Sequence, residues 1–221
     1  MITDDNLYEV GKLADTIDIK SLEPSFSNLP EDTYAEKGLR SRRYSCFRLS
    51  KDGALTRLTK KQFMQSKDIN DYLGDVQRTY EEIEESLLTN PAFVALFEEM
   101  RRRTSLPEDS VIEAHQIRWH CRRDVKMLAP EGTHQDGFDY IAMFMVDSVN
   151  VDGGEMMIYP SKNDPPCFKK KLTPGEFIVM SDKKLFHNAA PLVPTVNSPG
   201  GHWDLMVLTA NARNNSSSAA A

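Results

Sequence analysis

The stretch PEGTHQDGFDYIAMFMV, residues 130–146, places a histidine and an aspartate two positions apart, directly before an apolar run. The run over residues 140–146 is short and almost entirely apolar, which predicts a buried strand. In extended chain, residues two apart point to the same side. His134 and Asp136 can therefore present an imidazole and a carboxylate to one point. We expect a ligand-bearing segment at the entrance to this strand.

Further strand-like segments, separated by turn residues, fill the second half of the chain. They cover residues 113–122, 140–146, 155–159, 168–172, 176–180 and 202–210. Asp152-Gly153-Gly154 is a hairpin signal, and Pro174-Gly175 marks a turn. Short strands with such turns are typical of a β-sandwich or barrel.

The first 110 residues predict mainly helices. Apolar residues recur at helical spacing over residues 7–17, with Thr3 or Asp4 as the cap, and over residues 69–87. Asn90 before Pro91 predicts another helix start. The arginines at 101–103 would end that helix, where cations complement its dipole, an interpretation we favour over a nucleic-acid contact.

This pattern predicts an α+β protein with a single domain over residues 1–213. In it, the mainly helical residues 1–110 support a strand-rich core over residues 111–213, with a short strand near residues 44–49. Residues 214–221, NNSSSAAA, are low in complexity and are expected to be a disordered tail or a cloning remnant.

Composition narrows the function classes. The 221 residues carry 27 basic and 33 acidic side chains, a net charge of −6, and 40% hydrophobic residues. These values are typical of a globular protein and disfavour nucleic acid as a partner. No apolar run is long enough to span a membrane, and the acidic N-terminus does not resemble a signal peptide. Three widely spaced cysteines predict reduced thiols and a cytoplasmic protein.

A second histidine context follows the strand at residues 176–180, where Asp182 leads to His187. Folded back across a barrel, His187 would complete a set of two histidines and one carboxylate with His134 and Asp136. That set suits a non-haem Fe(II) oxygenase, because it leaves coordination positions open. The alternative is a turn histidine followed by an ordinary Asp-Gly turn. The remaining histidines are expected to be hydrogen-bonded core residues; they are His115, His120 and His202.

Over residues 113–210 the chain resembles the 2-oxoglutarate/Fe(II) dioxygenase family that includes the bacterial isoleucine 4-hydroxylase, whose members hydroxylate free amino acids. The matching stretches are EAHQIR at 113–118, PEGTHQDG at 130–137, GGE at 153–155, the strand leading to Asp182 and His187, and GHWD at 201–204. The resemblance implies a double-stranded β-helix, or cupin-like jelly roll, with flanking N-terminal helices. It also implies Fe(II), 2-oxoglutarate and O2 as cofactor and cosubstrates, with His134, Asp136 and His187 as the metal ligands.

One position departs from that family. Where the family typically reads Gly-His-Arg-Asp, this chain has Trp203. Dioxygenases of this fold commonly hold the distal carboxylate of 2-oxoglutarate with a basic residue on a late strand, and tryptophan cannot do so. We expect Arg118 to replace it, with Thr209 adding a hydroxyl contact. Arg118 could instead be a surface charge or a structural ion pair, and Arg122 and Lys184 are weaker candidates.

An amino acid substrate would need a carboxylate to pair with its ammonium group. Asp139, Tyr140 and Glu155 lie near the ligand motif or in matched segments and are the candidates, although turn and rim hydrogen bonding would also explain them. Two other functions stay open. One is hydroxylation of a protein or peptide side chain, which would need an open groove; the other is a cupin-like metal-binding protein without oxygenase activity.

Overall fold

The computed structural model describes residues 1–69, 73–121, 128, 131–195, 198 and 200–212. These residues contain twelve strands and two α-helices, together with short 3-10 helices at Ile19–Leu22 and Glu85–Thr89. The α-helices are α1 (Glu23–Phe26) and α2 (Pro91–Arg103). The strands are β1 (Tyr8–Lys12), β2 (Arg40–Leu49), β3 (Leu55–Arg57), β4 (Val111–Cys121), β5 (Tyr140–Val149), β6 (Val151–Gly153), β7 (Met156–Tyr159), β8 (Phe168–Lys170), β9 (Glu176–Ser181), β10 (Phe186–Ala189), β11 (Leu192–Pro194) and β12 (Gly201–Ala210).

One large antiparallel sheet organises the chain. Its strand order is β1-β9-β5-β12-β4-β2-β3, so β12 lies at the centre between β5 and β4. A smaller sheet with the order β10-β7-β8 and a β11-β6 pair complete the strands that the structure describes. All pairings among these strands are antiparallel.

The large sheet has two different buried faces, because successive side chains of a strand point to opposite sides. On β5, Ala142 and Phe144 lie in the core shared with α2, whereas Ile141 and Met143 lie in the core shared with the small sheet. Ile158 of β7, which is fully buried, belongs to that second core. Two sheets enclosing one core, with helices outside, form the expected double-stranded β-helix jelly roll.

The sequence overestimated helix in the first 110 residues. Residues 7–17 contain strand β1, which satisfies its backbone groups by pairing with β9 at the sheet edge. Residues 73–84 form no helix, although their apolar spacing predicted one. Near its end this segment is bonded to β2, since the Tyr44 amide donates to the Glu81 carbonyl and the Ile83 amide donates to the Ser45 hydroxyl. Earlier in the segment, Arg78 exchanges both main-chain hydrogen bonds with Phe63. Tertiary contacts override helical periodicity here.

Helix α2 agrees with its predicted start and end. The Asn90 side chain accepts hydrogen bonds from the amides of Ala92 and Phe93, and Pro91 occupies the first turn. The arginines at 101–103 lie in the last turn. Among the described residues no helix is both long and apolar enough to cross a membrane. Residues 214–221 lie outside the described part of the chain.

Replacing Phe97 by alanine tests whether α2 anchors the outer face of the large sheet. Phe97 is fully buried, and its ring centroid lies 5.2 Å from that of Phe47 on β2. We expect the free energy of unfolding to fall by about 3–5 kcal/mol, because the change leaves a cavity at the helix–sheet interface. Urea denaturation measures this. The exposed neighbour Glu98→Ala is the control, with an expected change below about 0.5 kcal/mol.

Candidate metal centre

The site is built on a main-chain bridge between two histidines. The amide of His134 donates to the carbonyl of His187 over 3.0 Å, and the amide of His187 donates back over 2.9 Å. Two residues that exchange both hydrogen bonds lie directly opposite each other, with their side chains on the same side. The bridge thus joins the loop before β5 to strand β10 of the small sheet. It brings the two rings to a centroid distance of 4.4 Å.

Asp136 completes the cluster. Its carboxylate oxygens lie 3.9 Å from His134 Nε2 and 3.8 Å from His187 Nε2. One ligand atom from each of the three residues falls within 4.8 Å of the other two, a spacing that suits ligands of one metal ion. Two imidazole nitrogens and one carboxylate oxygen form the donor set of a non-haem Fe(II) centre. The residues therefore fit the ion that the sequence implies.

The neighbours of both rings leave Nε2 free for a metal. His134 Nδ1 lies 2.8 Å from the Gly132 carbonyl, an acceptor that keeps the proton on Nδ1. His187 Nδ1 lies 3.6 Å from the Asp182 carboxylate. Burial, followed by the neighbouring His134, lowers the pKa of His187 to about 4, while Asp136 opposes the change. His187 is thus neutral near pH 7, the form that binds metal.

Asp182 holds the loop that carries Asp136. Its side chain is fully buried and accepts hydrogen bonds from the amides of Asp136, Gly137 and Phe138. Burial and the nearby charge of Asp136 raise the pKa of Asp182 to about 7, against the effect of the three amides. Its contacts fix the backbone on which Asp136 stands.

Gln65 links the cluster to the opposite wall. Its amide nitrogen donates to the Asp136 carboxylate over 3.2 Å, and its amide oxygen accepts from Arg78 over 2.9 Å. A chain of two hydrogen bonds therefore connects the buried Arg78 guanidinium group to the Asp136 carboxylate.

A cavity of about 390 Å³ opens beside the cluster, in the size range of small-molecule sites. His134, Asp136 and His187 lie in its wall. The inner faces of β4 and β12 line it with residues at alternate positions, among them Ile117, Trp119, Trp203, Leu205 and Thr209. The cluster therefore borders a cavity whose wall is mainly apolar on the side of β4 and β12.

Arg118 lies on the predicted strand, but its side chain points away from the cavity. Its predicted role as the carboxylate clamp does not fit this position. It lies on β4 between the cavity-lining residues Ile117 and Trp119, so its side chain points to the other face of the sheet. There it forms a two-pronged ion pair with the fully buried Asp204, with both N–O distances at 2.7 Å. The structural ion pair left open as its alternative is the observed state.

Of the other residues predicted to contact a ligand, some line the cavity and some do not. Thr209 lines the cavity, and its buried hydroxyl has no hydrogen-bond partner among the described residues. The structure does not bring the three predicted substrate residues to the cavity wall: Asp139 pairs with Lys183, Tyr140 packs on the α2 side of the sheet, and Glu155 precedes β7. Lys184 pairs with Asp4. Arg122 lies outside the described residues.

The sequence did not indicate several polar residues of the cavity wall, among them Arg42, Gln65, Arg78 and Glu131. Arg78 lies in a stretch predicted as a helix, where arginine on the polar face is ordinary, and Arg42 lies in no predicted element. Glu131 belongs to the matched stretch PEGTHQDG, and its carboxylate lies 3.6 Å from His134 Nε2. No local motif marks the other three.

A jelly roll that holds two histidines and one carboxylate in a cavity wall defines the class of non-haem iron oxygenases. The family model of the 2OG-Fe dioxygenases matches residues 23–209, and the chain belongs to this family. The protein is accordingly an Fe(II)- and 2-oxoglutarate-dependent oxygenase, with O2 as the second cosubstrate. No curated protein matches the chain significantly.

Solved structures share the fold at low sequence identity. A bsmA homolog from Methylobium petroleophilum PM1 is 23% identical, with a TM-score of 0.76 over 93% of this chain and 88% of that one. IDO from Bacillus thuringiensis is 18% identical, with a TM-score of 0.74 over 94% and 91%. The Fe(II)/α-ketoglutarate-dependent dioxygenase TqaL is 16% identical, with a TM-score of 0.67 over 94% and 83%.

Replacing Asp182 by asparagine tests its role in holding the Asp136 loop. We expect affinity for Mn(II), a redox-inert probe, to fall about 10- to 100-fold, because a neutral amide oxygen accepts the three backbone hydrogen bonds more weakly than a carboxylate oxygen does. Isothermal calorimetry measures the change. Asp164→Asn, in an exposed turn, is the control. An unchanged affinity in folded Asp182→Asn protein would contradict this role.

Replacing Arg118 by alanine separates a structural role from a ligand role. We expect the free energy of unfolding to fall by about 3–5 kcal/mol, because Asp204 would be left as a buried, unpaired charge. Affinity of the metal-loaded protein for 2-oxoglutarate should stay within about threefold of wild type. Lys184→Ala, which removes an exposed ion pair, should change stability by less than about 1 kcal/mol. A selective loss of 2-oxoglutarate binding would restore the clamp assignment.

Proposed function

We propose that His134, Asp136 and His187 bind the Fe(II) of this oxygenase and that the enzyme hydroxylates a small molecule in the adjoining cavity. The convergence of three ligand atoms within 4.8 Å, in the wall of the cavity, carries the proposal. Bound Fe(II) supplies, with 2-oxoglutarate and O2, the oxidation of a substrate C–H bond to C–OH, and 2-oxoglutarate leaves as succinate and CO2.

The chain's own residues position the reaction and keep water out. The Gly132 carbonyl orients the His134 imidazole, and the Asp182 carboxylate lies 3.6 Å from His187 Nδ1. The Asp182 hydrogen bonds fix the loop of Asp136. Apolar side chains of β4 and β12, such as Ile117 and Leu205, limit water beside the metal. Such a setting supports selective oxidation of one bound molecule.

A free amino acid or a close relative is the substrate class we favour. The sequence resemblance to amino acid hydroxylases over residues 113–210 supports it, as does a cavity of about 390 Å³, which suits a small molecule together with the cosubstrate. Cations and carboxylates both line this cavity, for example Arg78 and Glu131. A zwitterion can be oriented by such a wall, because its two charged groups need partners of opposite sign.

Anaerobic spectroscopy tests the metal assignment. We expect wild-type protein with Fe(II) to develop a visible metal-to-ligand charge-transfer band when 2-oxoglutarate is added, because the cosubstrate chelates the metal. His187→Ala should abolish the band, since it removes one of the three ligands. His202→Ala is the matched control, because His202 lies on the other face beside Asp147 and outside the cavity wall.

Two outcomes would contradict the proposal. Absence of the band from wild-type protein at saturating Fe(II) and 2-oxoglutarate would contradict the assignment of an oxygenase site. Persistence of the band in His187→Ala would contradict the assignment of His187 as a ligand. Once the band is seen, succinate release stimulated by individual amino acids identifies the substrate. A complete panel without stimulation would exclude the amino acid class.

A further inference from the structure

Two buried arginines face the cavity from its β2 side. Arg42 stands on β2 and Arg78 in the segment that runs along it, and they are only 7% and 3% exposed. Their guanidinium carbons lie 5.3 and 4.5 Å from the centroid of the same ring, Phe63. The Tyr80 ring lies 4.7 Å from Arg42 as well. Aromatic stacking thus holds two like charges in one part of the wall.

Neither arginine has a carboxylate partner within 4.0 Å among the residues that the structure describes. Arg42 donates to His115 Nδ1, and Arg78 donates to the Gln65 amide oxygen. The Nε atom of each guanidinium group is buried and lacks any hydrogen-bond partner in the described structure. Buried charges without compensation are strongly unfavourable, so this arrangement leaves a specific need for an anion.

The surrounding titratable groups do not meet that need. Burial and then the nearby arginines, Arg42 first, lower the pKa of His115, so its ring is a neutral acceptor. Tyr80 presents a phenol to Arg42. Among the described residues that line the cavity, the carboxylates are Glu36, Glu131 and Asp136, and none of them forms an ion pair with Arg42 or Arg78.

Two neighbouring arginines differ from Arg42 and Arg78 because each has a carboxylate partner. Arg40 also lines the cavity, but it is paired with the fully buried Asp32 carboxylate at 2.7 Å. Arg43, the next residue on β2 after Arg42, pairs with Glu81 at 2.9 Å. Only Arg42 and Arg78, of the described cations that line the cavity, therefore lack a carboxylate.

The central strand of the large sheet offers no other cation that could bind an anion in the cavity. The cavity-facing positions of β12 are Trp203, Leu205, Val207 and Thr209, and none carries a positive charge. Arg78, by contrast, is joined to the metal ligand Asp136 through the single side chain of Gln65. An anion held by the arginines would therefore sit close to the reacting centre.

We propose that Arg42 and Arg78 form a carboxylate anchor, which binds a ligand carboxylate that is not coordinated to the metal. The unpartnered Nε–H groups donate to that carboxylate, as planar guanidinium groups do well. The inference rests on the proposed function, which defines two sources of such a group. One is the distal carboxylate of 2-oxoglutarate, and the other is the carboxylate of an amino acid substrate.

A pair of α-keto acids isolates the first source. Pyruvate can chelate the metal like 2-oxoglutarate but lacks its distal carboxylate. Calorimetry on Mn(II)-loaded protein gives both dissociation constants without turnover. If the anchor holds the cosubstrate, Arg42→Met and Arg78→Met should each weaken 2-oxoglutarate at least about 30-fold and leave pyruvate within about threefold. Arg43→Met is the matched control on the same strand and should change neither.

An amino acid and its decarboxylated amine isolate the second source. Each standard amino acid is added to anaerobic protein loaded with Fe(II) and 2-oxoglutarate, and its shift of the charge-transfer band is compared with that of the amine. If the anchor holds the substrate, the methionine variants keep the 2-oxoglutarate to pyruvate ratio and lose the amino acid response. Should a methionine variant fail to fold, Arg42→Lys and Arg78→Lys retain the charge without the planar fork and should weaken the same ligand less severely.

The proposal is overturned if folded Arg42 and Arg78 variants keep the wild-type ratio of 2-oxoglutarate to pyruvate affinity and also respond to amino acids as wild type does. The same conclusion holds if that ratio is unchanged and neither wild type nor variant responds to any amino acid. This failure differs from that of the proposed function. If the proposed function fails, wild-type protein itself shows no charge-transfer band with 2-oxoglutarate. If only the anchor fails, the band forms and replacing the arginines does not change it.

Discussion

The reciprocal hydrogen bonds between the main chains of His134 and His187 are the constraint on which the site depends. They tie the loop before β5, on the large sheet, to β10 on the small one. Because the bonded pair points both imidazoles to one side, the ligand geometry follows from backbone pairing. Asp182 then fixes the continuation of the same loop through three amides, so Asp136 arrives at a set position. The two imidazoles and the carboxylate are thus positioned by main-chain contacts.

The electrostatics of the cavity differ from those of the whole chain. The protein carries a net charge of −6, yet one part of the cavity wall concentrates Arg40, Arg42 and Arg78. Net charge governs long-range attraction, whereas recognition in a buried site depends on the few groups within contact distance. The acidic composition disfavours a nucleic-acid backbone as partner. It gave no information about the affinity of the cavity for a small dicarboxylate.

The sequence predicted the strands of the second half of the chain because alternating burial and glycine turns leave local signals, as at Gly153, whose φ of +79° and close approach to the Pro191 carbonyl suit glycine. It predicted the convergence of His134, Asp136 and His187 because two of them share a short motif. It failed over residues 73–84, where spacing typical of a helix belongs to non-helical chain that is bonded to Phe63 at Arg78 and to β2 at Glu81. It also failed for Arg118, since alternation shows which residues share a face and not which face meets the cavity.

The position of the two unpaired arginines has a consequence for the cosubstrate. β12 is the central strand, and its cavity face carries no positive charge. Near Trp203, which lies opposite Trp119 of the neighbouring strand, the polar group is the neutral indole Nε1–H. A carboxylate directed there would lose its water without gaining a cation, which is costly. A carboxylate directed toward β2 would instead meet Arg42 and Arg78, whose own burial is otherwise uncompensated. The cost of burying the carboxylate and the cost of burying the two guanidinium groups are both compensated when the ligand points toward β2, and not when it points toward β12. That asymmetry, more than any single contact, favours a ligand that extends from the metal toward β2.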